Sequence, residues 1–141
     1  MTKNTSATYQ MFNSVATMLG ALGVKTYLMD RPKETPAKST AFAVVDFPTA
    51  IARPFAGYDD FRYRSKGVIY IFCRAKNDGT PNIDAQTALV RKITDCFPYK
   101  DTICELVDPI VLLRGADEYG FQITTITFTI RTRINSINNN I

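Results

Sequence analysis

The run GFQITTITFTIRTRIN, residues 120–135, alternates isoleucine or phenylalanine with threonine for more than a dozen positions. Side chains of an extended backbone point to opposite faces in turn, so this pattern specifies a strand with two unlike sides and argues against an amphipathic helix. Even positions Ile126, Phe128, Ile130, Thr132 and Ile134 make an apolar side; odd positions Thr125, Thr127, Thr129, Arg131 and Arg133 make a polar one. Phe121 and Ile123 fall in the opposite phase. Either a bulge near Thr124-Thr125 reverses the faces, or that end is covered on both sides.

A second long strand is expected over residues 61–74, FRYRSKGVIYIFCR. Its odd positions, from Phe61 and Tyr63 to Ile71 and Cys73, are largely apolar. Its even positions begin with Arg62, Arg64 and Lys66 and continue with Val68, Tyr70 and Phe72, so the second half is expected to be buried on both sides. Fourteen extended residues span roughly 46 Å, whereas a compact domain of 141 residues is about 37 Å across. Each strand is therefore expected to bend, bulge or project, and a projecting edge is a template for another chain.

Antiparallel pairing of the two long strands would bring Arg62, Arg64 and Lys66 beside Arg131 and Arg133 on the non-core face. Like charges opposed across strands repel, so an acidic partner is expected. Candidates are Asp59 and Asp60, the Asp117-Glu118 pair of a neighbouring copy, another protein, or phosphate. The bland alternative is a set of solvated cations guarding a sheet edge. These five residues are the candidate contact with subunits or partners.

The remaining pattern describes one α+β domain over residues 1–141, with flexible ends at 1–5 and 135–141. A helix from Tyr9 to Leu22 carries Phe12, Val15, Leu19 and Leu22 on one stripe, with Gly23 suited to its exit. A helix capped by Asn82 or Asp84 runs to about Cys96 on Ile83, Val90, Ile93 and Phe97. Strands are expected at 25–29 and 41–47, and two short ones at 103–107 and 110–114 around Asp108-Pro109. The fold expected is a mainly antiparallel twisted sheet of four to five strands, two helices on one face and a long β-hairpin, with residues 53–65 as an extended arm.

Catalytic signals are missing from the sequence. It contains no histidine, which removes His-activated nucleophiles and the commonest metal ligand. It has neither a phosphate-cradling G-x-x-x-x-G-K-[ST] nor G-x-G-x-x-G. Adjacent Asp59 and Asp60 would point to opposite faces of a strand. Cys73, Cys96 and Cys104 form no C-x-x-C pair and lie in apolar stretches, as reduced buried thiols do. The net charge of +4 is too diffuse for a dedicated nucleic-acid binder. No catalytic residue, cofactor, metal or small-molecule substrate is expected, and no run is long and apolar enough to span a membrane.

The opening helix with its Gly20-Ala21-Leu22-Gly23 exit, the strand GVIYIFCRA, the helix DAQTALVRKITDCF and the closing RGADEYGFQITTITFTIRTRI follow one another in an order that resembles the tail terminator or tail-to-head joining proteins of long-tailed bacteriophages. The resemblance implies a non-enzymatic virion component, assembled in the host cytoplasm. It would form a hexameric homo-oligomeric ring at the head-proximal end of the tail, ending tube growth. Its implied partners are itself, the tail tube protein and a head completion or connector protein, with a passing contact with DNA. The alternatives are a head-completion adaptor of the same neck and a small monomeric module for an acidic ligand.

Overall fold

The computed structural model describes residues 7–28, 41–47, 63–78, 80, 82–116 and 120–132. Among them are helices α1 (Ala7–Gly20) and α2 (Ile83–Thr94) and strands β1 (Thr26–Leu28), β2 (Ala41–Asp46), β3 (Tyr63–Arg74), β4 (Tyr99–Lys100), β5 (Cys104–Ala116) and β6 (Phe121–Thr132). The strands form a six-stranded sheet in the order β1-β2-β3-β6-β5-β4. All neighbours are antiparallel except β1, which runs parallel to β2. The expected sheet of four to five mainly antiparallel strands is thus corrected to six in a mixed sheet. β4 is too short to show any periodicity, and the direction of β1 is set by the chain path after it, which local alternation does not encode.

α1 buries Met11, Ser14, Val15, Met18 and Leu19. The expected stripe is therefore rotated: Val15 and Leu19 belong to it, while Phe12 and Leu22 flank the core half-buried. Gly23 takes φ 77°, a left-handed conformation that glycine adopts without a Cβ clash. Its N–H donates to Gly20 O at 3.0 Å, and Val24 N–H donates to Leu19 O at 3.1 Å, the paired bonds of a Schellman exit. Asn82 caps α2, its side chain accepting from Ala85 N at 3.3 Å. Ile83, expected on the buried stripe, is 61% exposed. Gln86 and Ile93 are the buried residues instead.

One face of the sheet receives both helices. Val15, Leu19 and Ile93 join Ala43, Val45, Ile69, Ile71, Cys104, Leu106, Ile126, Phe128 and Ile130 in the main core. At about 25 cal/mol per Å² this apolar burial is the principal stabilising term. Gly67 lies opposite Phe128 in the β3–β6 register, and a Cβ there would run into the Phe128 ring. The glycine is the space into which that ring packs. Gln86 Nε2 donates to Thr124 Oγ1 beneath α2, which ties the helix to β6 by a bond satisfying both buried groups.

The other face carries no described helix. At one end it holds a second cluster of Phe42, Val44, Phe72 and Phe121, with Tyr27, Tyr70 and Ile123 against it. Phe42 and Phe72 stack at 4.7 Å, and Phe121 meets Phe42 edge-on at 5.3 Å. This explains the phase of Phe121 and Ile123. The β3–β6 register runs unbroken from Tyr63↔Thr132 to Arg74↔Phe121, so β6 has no bulge and its beginning is covered on both sides, by the aromatic cluster at Phe121 and Ile123 and by α2 at Thr124.

The bulges are in β5. Register shifts separate Val107 from Ile110 and Leu113 from Ala116, and Asp108 sits at φ 57°, which Asp tolerates better than most residues. What local pattern divides into two short strands is one strand of 13 residues, because a bulge interrupts the alternation without ending the pairing. β5 and β6 are antiparallel neighbours; the long hairpin expected around 53–65 lies outside the described residues except for 63–65, which belong to β3. Of the bend, bulge or projection expected of the long strands, projection does not occur over their described length. Ser65, Cys104, Ile130 and Thr132, at the supposedly projecting end, are all buried, since the long strands lie side by side under the helices.

Candidate subunit-contact surface

Of the five candidate cations, Arg64, Lys66 and Arg131 are described; Arg62 and Arg133 lie outside the described residues. The expected juxtaposition occurs. Arg64 is directly opposite Arg131, and Lys66 is opposite Thr129. All three have the parity of the helix-free side, where Arg64 and Lys66 are exposed and Arg131 is half-buried.

The carboxylate that answers them was not among the expected partners. Glu105 on β5 lies opposite Arg131, and Arg131 Nη1 donates to Glu105 Oε1 at 2.8 Å. Asp59, Asp60, Asp117 and Glu118 lie outside the described residues. Lys100 on β4 lies opposite Glu105 in turn. A row of charges thus crosses four strands: Lys100, Glu105, Arg131, Arg64. Glu105 between two cations relieves the repulsion that Arg64 and Arg131 would exert on each other. Sequence spacing missed it because the pairing of β5 with β6 depends on a bulge that shifts the count. Lys66 Nζ donates to Thr129 Oγ1 at 3.2 Å.

The turn that aims this row is built by Asp101. Its Oδ1 accepts from Ile103 N and Cys104 N, each at 2.8 Å, an Asx arrangement that reverses the chain between β4 and β5. Thr132 Oγ1 donates to Ile103 O at 3.0 Å, which holds the end of β6 against the same turn. The basic surface therefore stands on a rigid, hydrogen-bonded base.

Other groups on the described surface fit reactive chemistry less well. An open cleft of about 500 Å³ near the start of α2 is lined by Cys73, Arg74, Lys76, Asn82 and Leu89. Burial pushes the Cys73 thiol above its ordinary pKa, which disfavours the nucleophilic thiolate. The Arg74 guanidinium lies 4.5 Å from the centre of the Phe121 ring, and the Asn82 side chain is engaged as a helix cap. Cys104 is likewise raised by burial. Among the described residues, no three His, Cys, Asp or Glu side chains come together as a metal site, and no helix is long and apolar enough to cross a membrane. Neither a protein-family model nor a curated protein matches the chain.

Proposed function

We propose that the chain is a structural subunit of a tailed-phage neck, a ring-forming terminator or tail-to-head joining protein with no catalytic activity. The observation that carries this reading is the basic end of the helix-free sheet face. Arg64 and Lys66 are exposed there beside the Arg131–Glu105 pair, on a backbone fixed by pairing along β3, β6 and β5. Such a preorganised cationic surface suits an acidic face of a neighbouring copy, the tube or the connector, because little ordering entropy is lost on docking.

The test is electron microscopy of tails assembled with Arg64→Glu/Lys66→Glu protein. Normal tail lengths with a normal terminal ring would remove the proposed contact; overlong or headless tails are the expected result. A second reading, a monomeric module for an acidic ligand, draws on the same exposed cations. It requires a native monomer whose affinity for a polyanion such as heparin falls steeply with salt, whereas the leading reading requires a ring on the tail.

A further inference from the structure

The net charge of +4 is diffuse along the sequence, but strand pairing gathers the cations. Arg64 and Lys66 on β3 and Arg131 on β6 share the helix-free face with Arg74, which lies on the Phe121 ring, and with Lys100, opposite Glu105. Lys25 joins them at the far edge, its Nζ 5.7 Å from the centre of the Tyr27 ring. Against these six cations the face carries two described carboxylates, Asp46 and Glu105. Glu105 is paired with Arg131, and Asp46 Oδ1 accepts from Phe47 N at 2.8 Å. Elsewhere among the described side chains, aspartates outnumber cations, so the basic excess belongs to this face. Aromatic rings interleave with it. Tyr27 on β1 and Tyr70 on β3 lie in one row across Val44, two strands or about 10 Å apart, and both are half-exposed. Lys66 and Arg64 follow Tyr70 along β3, at about 13 and 20 Å.

We propose that the helix-free face binds single-stranded nucleic acid, with bases stacked on Tyr70 and Tyr27 and phosphates held by Lys66, Arg64 and Lys25. An open strand offers each base as a flat partner for an aromatic ring, whereas a duplex keeps its bases stacked inside. Charge alone would suit any acidic surface; half-exposed rings set among the cations select a ligand that has flat faces and regular negative charge together. The track from Tyr27 to Arg64 measures about 22 Å, room for about four nucleotides, at the lower end of what a sheet platform takes. Phosphate attraction steers the strand onto the face and stacking holds it there. The track shares Arg64 and Lys66 with the proposed neck contact and adds the tyrosine end, so it goes beyond that reading and the tyrosines separate the two.

The test is fluorescence anisotropy of a labelled twelve-nucleotide oligothymidylate with the full chain. Saturable binding is expected, tighter than for a duplex of the same length and falling as salt rises. Tyr70→Leu keeps an apolar side chain in the aromatic cluster and is expected to weaken binding about ten-fold, the effect of one lost stacking contact, while the salt slope stays the same. Arg64→Gln/Lys66→Gln is expected to lower that slope by about 1.4, at roughly 0.7 per phosphate contact. Unchanged urea midpoints show that the variants are folded, and Tyr27→Leu, at the sheet edge, repeats the stacking test should Tyr70→Leu lower its midpoint. An oligouridylate of the same length identifies the strand taken: tighter binding names RNA and weaker binding DNA, and either upholds the platform. No binding at low salt, or binding that the duplex and heparin match and both tyrosine variants leave unchanged, overturns the proposal. Rings on tails without oligothymidylate binding would overturn it and leave the proposed function standing; binding that the tyrosine variants lower, with no ring on tails, would do the reverse.

Discussion

The two sides of one sheet differ in how completely the chain finishes them. On the helix side, fully buried residues from β2, β3, β6 and β5 close against α1 and α2. On the other side, aromatic packing covers one end, while the other end carries a charge row with exposed Arg64 and Lys66. The same strands supply both sides. Core packing and surface charge are therefore written on alternate residues of the same segments, which lets one set change without disturbing the other.

That separation is open to attack, beginning with its largest expected effect. Phe128→Ala, on the helix side at 1% exposure, is expected to cost about 3–5 kcal/mol, read as a lower midpoint in urea unfolding. Gly67→Ala adds a methyl group where the Phe128 ring lies and is expected to cost about 1–3 kcal/mol by overpacking; a neutral result would show that the ring swings aside freely. The two substitutions together should be non-additive, since they share one contact.

A pH-dependent difference also sorts to the helix side. Burial raises the Cys73 and Cys104 thiols, so the folded state holds their protons more tightly than the unfolded chain. Their contribution is complete below the unfolded thiol value of about 8.5 and is lost as pH rises through the folded values. Melting temperature is expected to fall above that pH, and Cys104→Ala is expected to flatten part of the fall. An unchanged slope in that variant would place the alkaline loss elsewhere.

Smaller still is the Arg131–Glu105 pair, whose side chains are 28% and 21% exposed. Glu105→Gln is expected to cost at most about 1 kcal/mol, and less at high salt. Arg64→Glu/Lys66→Glu should change stability least, within about 0.5 kcal/mol, by urea titration. A large loss there would show that the exposed cations hold the fold together, and the contrast between the two sides would fail.

Much of this was legible beforehand for a physical reason. Alternation in residues 61–74 and 120–135 reports which side chains share a face, and the antiparallel meeting of Arg64 with Arg131 follows from pairing two strands of known direction. The burial of Val68 and Phe72 on the second face was equally readable, since apolar residues at both parities have nowhere to go but into two contacts. The rotation of α1 toward Met11 and Met18 was not, because Phe12 and Leu22 fit a helical stripe as well and only the shape of the sheet beneath chooses between them. Ile83 was misplaced for the same reason.

The chain by itself determined its periodicities: two helices, long strands with a core side, a charged end and no histidine for chemistry. Tertiary structure decided which strands became neighbours, hence that Glu105 answers Arg131, that bulges fall in β5 and not in β6, and that Ile110, Val111 and Leu112 lie on an edge. Periodicity is a property of bonded neighbours and is readable locally. Strand order and register depend on the free energy of packing the whole sheet, which no single segment contains.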